Sequence, residues 1–444
     1  MITLPKDFEK RMKLQLGDEF ADFISSFDEG KINALRLNNN LNPEDIFPGS
    51  LSKVSWCPTG YYYEDNLNPG QHPYHEAGVY YIQDASAMLP AEMLNPVPGD
   101  IVLDLCAAPG GKSTQIGKKL EGKGLLIANE IIPSRSKILS ENIERMGITN
   151  CIVTNEAPED LSKKLPAFFD KILVDAPCSG EGMFRKNPNA MDEWSLDNVK
   201  MCADRKDYIL DEAVKMLKPG GTIVYSTCTF SPEEDEECME RFLTRHSDFM
   251  LIKQERLWPH KVKGEGHFSA MLQHKGAVVE EASDNSYVNR KKRQEKDPAE
   301  AAIKLFSQFA DKLFEKDYVN SISENKQPLL FGNQLYILPK CAPSLNGIKV
   351  VRPGLHLGTI KKDRFEPSFA LALACNPSFC KNTISFGSNS KEIRDYIWGQ
   401  AIFTENKNEG WTLVCVDEYT IGWGKTTNGQ MKNHYPKGLR KVLQ

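Results

Sequence analysis

The central part of the sequence predicts an α/β fold with a doubly wound parallel sheet. From Ile101 onward, five short apolar runs alternate with amphipathic segments long enough for helices; the runs are IVLDLC, GLLIANE, CIVTNE, KILVDAP and GTIVYSTC. Continuous apolar runs of this length are typical of parallel strands that helices cover on both faces. In such sheets, ligands bind outside the carboxyl ends of the strands, so we expect the functional site at that edge.

Length and composition indicate a multidomain globular protein. The chain has 444 residues, and this length is more than one hydrophobic core usually supports. Hydrophobic residues make up 40% of the sequence and charged residues 26%, which is close to the average of globular proteins. No apolar run approaches the roughly 20 residues of a membrane-spanning helix, and the N-terminus has no signal-type apolar core. The 11 cysteines form no CxxC pair, which predicts neither a zinc site nor a disulfide framework. We therefore expect a cytoplasmic protein with reduced thiols, no metal and no membrane partner.

Changes of pattern along the chain predict five segments. A helical period followed by a stretch rich in Pro, Gly and Tyr predicts a small N-terminal module over 1–85. The α/β pattern covers 86–258, and the polar stretch over 259–299 is interpreted as a linker. A helical stretch and short β-like runs then predict a first C-terminal domain over 300–385 and a β-rich domain over 386–444.

The net charge of -5 conceals a gradient along the sequence. Residues 300–444 contain 19 Lys and Arg against 13 Asp and Glu, whereas residues 1–85 contain 7 against 13. The last stretch, 422–444, has five basic residues and no acid. A polyanion is therefore expected to approach from the C-terminal side.

The motif DLCAAPGGKSTQI, residues 104–116, predicts a ligand-binding turn. A strand ends at Leu105 and a helix can begin at Lys112, so a turn of small residues lies between them and its backbone can approach a ligand closely. The motif is neither the GxGxxG of dinucleotide-binding proteins nor the GxxxxGK[ST] of phosphate-binding loops. An ordinary glycine-rich turn is the alternative interpretation.

Glu130 ends the next predicted strand, LLIANEI. A carboxylate at this position commonly binds ribose hydroxyls, because an ionised acid accepts two hydrogen bonds from a diol. The alternative is a solvated acid in a loop.

Two further strands end in motifs that contain cysteine. DKILVDAPCSGEGMFRK brings Asp175 and Cys178 to the edge of the sheet, and GGTIVYSTCTF brings Cys228 to the same edge. A single cysteine is more often an ordinary buried residue, but two beside a cofactor turn indicate thiol chemistry. A thiolate that adds to C6 of a pyrimidine makes C5 nucleophilic, and C5 then accepts a methyl group from a sulfonium donor. Spacing alone leaves open which thiol attacks.

The acidic run SPEEDEE follows Cys228 and predicts the start of a helix. Ser231 fits an N-cap, Pro232 the first helical position, and Glu234 the third position of a capping box. Acids in a first turn also favour the helix dipole. No spacing of His or Cys supports a metal site.

Together, DLCAAPGGKSTQI, Glu130, DAPCSGEGMFRK and YSTCTFSPEEDEE resemble the RNA 5-methylcytosine methyltransferases of the NOL1/NOP2/Sun family over roughly residues 85 to 250. Within this family, SGEGMFRK and the long C-terminal extension resemble the bacterial RsmF group more than the shorter RsmB type. The resemblance implies a Rossmann-like S-adenosylmethionine methyltransferase core, an RNA-binding or cap module at the N-terminus, and C-terminal domains that end in a PUA-like RNA-binding module. It implies 16S ribosomal RNA or the small ribosomal subunit as partner, and we expect a monomer.

The resemblance also implies roles for single residues. Cys228 is expected as the nucleophile, and Cys178 as the thiol that assists release. Lys112 and Asp175 are expected to contact the cytosine, and Lys186 is a further candidate. The residues expected around S-adenosylmethionine are Cys106, Ala107, Ala108, Pro109, Gly110, Gly111, Lys112, Glu130, Arg135 and Asp175.

One departure from the family concerns the adenine contact. Many relatives have an aspartate after the third strand, where this chain has Ala157. Asn155, Glu156 or a backbone carbonyl could replace it, so this contact stays open.

Three other functions compete with this prediction. A transfer-RNA cytosine-C5 methyltransferase has the same motifs, and a catalytically silent RNA-binding ribosome-assembly factor could keep the fold. A nicotinamide-dependent oxidoreductase is disfavoured by the missing GxGxxG.

Overall fold

A computed structural model describes residues 4–38, 41–187, 189–276, 298–362, 364–403 and 409–443. Within these ranges the chain forms four β-sheets. The largest belongs to the central domain, and the other three belong to the N-terminal module and to two C-terminal domains.

The N-terminal module begins with two helices and continues into a small antiparallel sheet of order β2-β3-β1-β4. Phe8, Met12 and Phe23 lie on the inner faces of the two helices and are fully buried, as their helical spacing predicts. The elements are α1 (Lys6–Leu16), α2 (Phe20–Ser25), β1 (Ala34–Leu37), α3 (Pro43–Ile46), β2 (Leu51–Lys53), β3 (Gly60–Tyr63), α4 (Pro73–Glu76) and β4 (Tyr80–Ile82).

The central domain has the predicted doubly wound architecture. Its sheet has the order β10-β11-β9-β8-β5-β6-β7, followed at the edge by β14 (Val350–Pro353) from a later part of the chain, and the five strands from β9 to β7 are parallel. The elements are α5 (Leu89–Leu94), β5 (Ile101–Asp104), α6 (Gly111–Lys119), β6 (Leu125–Asn129), α7 (Pro133–Arg145), β7 (Cys151–Thr154), α8 (Pro158–Lys164), β8 (Phe169–Asp175), α9 (Asn189–Glu193), α10 (Leu196–Met216), β9 (Leu217–Thr227), α11 (Glu236–Arg245), β10 (Phe249–Leu257) and β11 (His267–His274).

Two apolar cores cover the faces of this sheet. On β8, Ile172 packs into the core that contains Leu210 of α10, and its neighbour Leu173 packs into the core that contains Leu139 of α7. Successive side chains of a strand point to opposite faces, so the continuous apolar run is explained by burial on both sides. The strand order reverses between β5 and β8, and a ligand crevice is expected there.

The sheet extends further along the chain than the sequence predicted. Strand β11 lies within the segment 259–299 that was interpreted as a linker, yet it pairs with β9 and β10 in the central sheet. Its sequence, HFSAMLQH, buries polar His267 and Ser269 between apolar neighbours, which weakens the apolar pattern of a strand. The boundary predicted at residue 258 is therefore corrected to the region after His274. Residues 277–297, which include most of the predicted linker, lie outside the described residues.

The first C-terminal domain combines helices with an antiparallel sheet of order β12-β13-β15-β16. Strand β14 leaves this domain and pairs with the edge strand β7 of the central sheet. The elements are α12 (Pro298–Leu313), α13 (Lys316–Ser323), β12 (Lys326–Phe331), β13 (Gln334–Pro339), β14 (Val350–Pro353), β15 (Leu355–Lys361), β16 (Arg364–Pro367) and α14 (Phe369–Ala374).

The last domain has a five-stranded sheet of order β17-β19-β20-β21-β18. Its elements are β17 (Thr383–Phe386), α15 (Lys391–Trp398), β18 (Ile402–Phe403), β19 (Gly410–Val416), β20 (Tyr419–Thr427) and β21 (Gln430–Asn433).

The last domain packs against the N-terminal module. Tyr435 donates a hydrogen bond of 2.9 Å to Glu76, and Lys441 forms an ion pair with the same carboxylate at 2.7 Å. Tyr74 donates to Asp417 at 2.8 Å. The basic C-terminal stretch is thereby held beside the N-terminal module. No helix in the described part of the chain is long and apolar enough to cross a membrane.

Candidate active site

The carboxyl ends of the parallel strands surround a cleft of about 790 Å³, a size within the usual range for small-molecule sites. The cleft brings together most of the residues predicted from the sequence. Those that line it are Cys106, Ala108, Glu130, Arg135, Asp175, Cys178 and Cys228.

A smaller cavity of about 230 Å³ lies on the other side of the turn after β5 and contains Lys112. Cys106, Ala108 and Asp175 line both cavities. The turn and Asp175 therefore form the wall between them. Ala107, Pro109 and Gly111 line the smaller cavity, while Gly110 forms the left-handed corner of the turn.

Side chains from neighbouring helices hold the turn from outside. Arg135 donates to the carbonyl of Ala108 at 2.9 Å, and Asn142 donates to the carbonyl of Pro109 at 2.9 Å. Gly110 has a φ of 115°, and a Cβ there would lie 3.2 Å from the Leu139 side chain. Only glycine adopts this backbone without strain. The turn is thus fixed as a close-approach surface for a ligand.

Burial disfavours charge at the base of the turn. It raises the pKa of Asp104 to about 7, although Ser113 donates a hydrogen bond of 2.6 Å to the carboxyl group. Burial also raises the pKa of the Cys106 thiol. Cys106 therefore lines both cavities as a neutral thiol at neutral pH.

Glu130 points its carboxylate along the wall of the cleft. Its Oε1 accepts the N–H of Ile132 at 2.9 Å, and its Oε2 lies 3.3 Å from Arg135. The side chain is 4% exposed, so the carboxylate is held in one place. Further lone pairs are available to a diol.

Lys112 and Asp175 form an ion pair between the two cavities. Lys112 Nζ donates to Asp175 Oδ2 at 2.8 Å, and Ser226 donates to Oδ1 at 2.8 Å. Burial opposes ionisation of Asp175, but Lys112, together with His267 and the Ser226 hydrogen bond, outweighs burial and holds the pKa of that carboxyl below its usual range. Both groups are therefore charged at neutral pH.

Sequence reasoning missed two partners of Asp175. Ser226 pairs with Asp175 in the register of β9 with β8, and its position two residues before Cys228 was a usable signal, because alternate residues of a strand share a face. His267 of β11 places Nε2 3.8 Å from Asp175 Oδ1. Burial, with the charge of Lys112, lowers the pKa of His267 to about 3, so its ring is neutral. The sequence predicts a linker where this strand lies, so it does not point to His267.

The thiols of Cys178 and Cys228 meet at the edge of the cleft, with 3.2 Å between their Sγ atoms. The hydrogen bond shared with Cys178, together with burial, raises the pKa of Cys228 well above its usual value. The pair therefore retains a proton until another group removes it.

The backbones that carry the thiols are tied to each other. Gly182 donates its N–H to the carbonyl of Cys228 at 2.9 Å, and the hydroxyls of Ser179 and Thr229 are 2.8 Å apart. A Cβ at Gly182 would lie 3.0 Å from the Cys228 carbonyl oxygen. Close approach of the two segments thus requires glycine at 182.

Glu181 adds a buried carboxylate to this connection. It accepts the N–H of Phe230 at 2.8 Å, the hydroxyl of Ser231 at 2.9 Å and the indole N–H of Trp194 at 2.9 Å. Sequence reasoning did not select Glu181, because an acid in a glycine-rich loop reads as solvated. Its contacts fix the segment immediately after Cys228.

The prediction of a capping box at Ser231 and Glu234 is wrong. Residues Pro232–Glu234 form a single 3-10 turn, Ser231 makes no capping hydrogen bond, and α11 begins at Glu236. The Ser231 hydroxyl donates to Glu181 instead. The Glu234 carboxylate turns inward, where it accepts the N–H of Ser179 at 3.1 Å and binds Lys206. Tertiary contacts have replaced the local capping pattern.

Asp235 is also buried, close to the end of β9. It accepts the Thr227 hydroxyl at 2.6 Å and pairs with Arg256 at 2.8 Å. Burial raises the pKa of Asp235 to about 7. Asp235 therefore supports the strand end that carries Cys228.

Lys186 is not a solvated base, because it pairs with Asp84 at 3.0 Å and lies 3.6 Å from Glu265. It thus binds the wall of the smaller cavity, which Asp84 lines. Within the described ranges, no group of three or more His, Cys, Asp or Glu side chains could hold a metal ion.

The residues considered for an adenine contact differ in orientation. Ala157 lines the cleft. Asn155 donates its side-chain amide to the carbonyl of Glu130 at 2.6 Å, and the Glu156 carboxylate pairs with Lys164 at 2.6 Å. Ala157 thus lines the cleft, whereas the side chains of Asn155 and Glu156 are bound to other protein groups.

Four family models match successive parts of the chain. They are described as the N-terminal domain of 16S rRNA methyltransferase RsmF (residues 4–85), 16S rRNA methyltransferase RsmB/F (91–273), the RsmF rRNA methyltransferase first C-terminal domain (308–375) and the methyltransferase RsmF PUA domain (383–441).

Curated relatives match over nearly the full length. A protein of Erwinia tasmaniensis named ribosomal RNA small subunit methyltransferase F is 31% identical, with 99% of this chain and 97% of the relative covered. A protein of Aliivibrio salmonicida with the same name is 32% identical, with 94% and 93% covered.

Solved structures resemble part of the chain. A methyltransferase homolog protein from Pyrococcus horikoshii superposes with a TM-score of 0.55 and 26% identity, covering 62% of this chain and 96% of that one. NSun6 from Pyrococcus horikoshii with SFG has a TM-score of 0.54 and 22% identity, covering 62% and 99%. The second likeness supports the fold alone.

Proposed function

This chain belongs to the RsmF family of ribosomal RNA small subunit methyltransferases, and from that premise we propose that it methylates C5 of a cytosine in 16S ribosomal RNA through a covalent bond between Cys228 and C6. The observation that carries the proposal is the pair of thiols, 3.2 Å apart, in the wall of a nucleoside-sized cleft. Methylation of an amine needs no thiol, whereas C5 of cytosine needs activation at C6.

S-adenosylmethionine is the proposed methyl donor, and the residues of the cleft fit it. The Glu130 carboxylate can accept the ribose hydroxyls, and the left-handed turn at Gly110 lets the backbone approach the ligand. Ile131 and Pro158 line the cleft with apolar surface, against which the adenine base of the donor can pack. When bound, the donor supplies a methyl group on a positively charged sulfur, so transfer requires no metal ion.

In the first step, the Cys228 thiol loses its proton to solvent, and the thiolate adds to C6 of the cytosine. The electron pair of the C5–C6 double bond then becomes available at C5, which takes the methyl group, and the electron pair of the broken sulfur–methyl bond stays on the sulfur of the donor. The Asp175 carboxylate can accept a hydrogen bond from the exocyclic amine, and Lys112 can donate one to the ring as charge develops. The Lys112–Asp175 pair thus orients the base above Cys228.

In the second step, Cys178 as a thiolate takes the proton from C5. The electrons of that C–H bond re-form the C5–C6 double bond, the bond from C6 to Cys228 breaks, and Cys228 leaves as a thiolate. Over the cycle, a methyl group replaces one hydrogen and one proton is released. The short distance between the sulfurs supports this division of roles, because both must reach the same ring.

We further propose that the C-terminal PUA domain and the N-terminal module bind the RNA, and that the protein acts as a monomer. The stretch after residue 422, with five basic residues and no acid, supports contact of the PUA domain with a polyanion. Relatives named for the small-subunit RNA favour 16S ribosomal RNA over transfer RNA.

Bisulfite sequencing of ribosomal and transfer RNA from a strain that lacks this protein tests the substrate. The expected result is loss of 5-methylcytosine from 16S ribosomal RNA, restored by the wild-type gene but not by Cys228→Ala. Loss confined to transfer RNA would identify the competing substrate, and no loss in either RNA would favour a silent assembly factor.

A further inference from the structure

We propose that the buried pair of Glu234 and Lys206 positions Cys178 for the release step and so sets how fast the methylated RNA leaves Cys228. The inference rests on the proposed function, because it concerns the release step of that reaction. The two residues touch neither cofactor nor base. Glu234 and Lys206 are positioning residues in this account.

Three separate elements converge at this pair. Glu234 follows Cys228 in the chain, Lys206 lies in the middle of α10, and Ser179 immediately follows Cys178. Glu234 Oε2 accepts the N–H of Ser179 at 3.1 Å and also binds Lys206 Nζ. The carboxylate therefore holds the peptide group next to the Cys178 thiol.

The pair is fully withdrawn from water. Both side chains have 0% exposure, and a buried ion pair is costly unless additional hydrogen bonds satisfy it. Replacing such a pair with apolar residues is often neutral or stabilising, so stability alone does not explain its presence here. The hydrogen bond to Ser179 gives the pair a task at the active site.

The surroundings keep this pair ionised. Burial disfavours the Lys206 ammonium, but its interactions with Cys178, Glu234 and Asp235 together outweigh burial and raise the pKa of Lys206. The ion pair therefore persists at neutral pH, and the Glu234 carboxylate stays in place to accept the Ser179 N–H.

Cys228 is held by other contacts. Its carbonyl accepts the N–H of Gly182, and Thr227 before it binds Asp235. The backbone of Glu234 is fixed independently, since its N–H donates to Ser231 and its carbonyl accepts the Tyr225 hydroxyl. Removing the Glu234 carboxylate should therefore free the Ser179 N–H and loosen Cys178, while the contacts of Cys228 with Gly182 and of Thr227 with Asp235 remain.

The test compares Glu234→Ala with wild type, using RNA substrate and S-adenosylmethionine. Methyl incorporation in a single turnover should stay within about twofold, because the Cys228 step is intact. Steady-state turnover should fall by about 10- to 100-fold, the scale of a small misplacement of a reacting group. The fraction of enzyme in a covalent RNA adduct on denaturing gels should rise in proportion.

Matched variants keep the test decisive. Glu233→Ala removes the neighbouring carboxylate, which pairs with Arg11 at the partly exposed surface, and should behave as wild type. The double variant Lys206→Met/Glu234→Met removes both charges and the acceptor of the Ser179 N–H together, which avoids leaving one buried ion unpaired. If Glu234→Ala does not fold, the double variant is measured in its place, and it too should accumulate adduct.

Two outcomes overturn the inference. If the Glu234 variants lose adduct formation and methyl incorporation in parallel, the pair only supports the fold; if they turn over as wild type, the pair has no role in release. Cys178→Ala separates this from a failure of the proposed function. Adduct in Cys178→Ala but not in the Glu234 variants overturns the positioning role alone, whereas no adduct in Cys178→Ala overturns the assigned chemistry.

Discussion

The sulfur atoms of Cys178 and Cys228 lie 3.2 Å apart although 50 residues separate them in the chain. They follow β8 and β9, which are adjacent parallel strands, so their carboxyl ends meet at one edge of the sheet. The hydrogen bond between the two thiols makes Cys228 harder to ionise. The short distance also keeps Cys178 within reach of C5 and C6, the two ring atoms that react. The consequences for the reaction can be measured.

The rate of methyl transfer should increase with pH. Because the pKa of Cys228 is raised, its thiolate fraction at neutral pH is small and increases about tenfold per pH unit below that pKa. Single-turnover rates between pH 6.5 and 9 measure this. In Cys178→Ala the hydrogen bond that raises the pKa is gone, so the rising limb should move to lower pH. A limb that stays in place would show that Cys178 does not control the proton of Cys228.

The ion pair of Lys112 and Asp175 should matter for the methyl-transfer step. Asp175→Asn removes the charge that balances Lys112, and we expect single-turnover transfer to fall by about 100-fold. Ser226→Ala removes only one hydrogen bond to the same carboxylate and should cost about fivefold. Equal effects of the two substitutions would contradict the role of the Asp175 charge.

Glu130 should determine affinity for the cofactor. Glu130→Gln retains the shape but removes the charge that accepts the ribose hydroxyls, and the Kd for S-adenosylmethionine should increase by about 10- to 100-fold. Isothermal calorimetry measures this without RNA. Glu141→Gln, at an exposed position on α7, is the matched control and should bind normally. An unchanged Kd in Glu130→Gln would place the ribose elsewhere.

Neutral His267 should make the folded protein sensitive to acid. Its pKa is lowered to about 3. Between pH 6.5 and 3, His267 is therefore protonated in the unfolded chain but stays neutral in the folded protein. The contribution of His267 to stability is complete above pH 6.5 and is lost as pH falls, by about 2 kcal/mol at pH 5.

Urea unfolding at pH 7.5 and pH 5 of wild type and His267→Gln measures this dependence. The wild type should lose about 2 kcal/mol more than the variant between the two conditions. The same pH dependence in both proteins would show that another group is responsible.

Much of this site can be predicted from the sequence, because the ends of the strands can be located in it. The apolar runs fixed the order of strands along the chain, and the parallel arrangement then placed Glu130, Asp175, Cys178 and Cys228 along one edge. The turn after β5 can also be predicted, because a left-handed backbone such as that of Gly110 favours glycine, and the glycines are visible in the sequence.

The remaining parts depend on tertiary contacts that have no local pattern. His267 lies on a strand whose buried polar residues resemble a loop, and Glu234 follows a helix-capping pattern that the fold does not use. Whether an acid beside Ser231 caps a helix or crosses to Ser179 depends on where Lys206 of α10 lies. Such long-range pairing cannot be derived from residue spacing.

The most direct test of the central claim uses denaturing gels of enzyme incubated with RNA and S-adenosylmethionine. Cys178→Ala should accumulate a covalent enzyme–RNA band that carries the transferred methyl group. Cys228→Ala and the double variant Cys178→Ala/Cys228→Ala should form no band and transfer no methyl group. A band or methyl transfer in Cys228→Ala would contradict the assignment of Cys228 as the nucleophile.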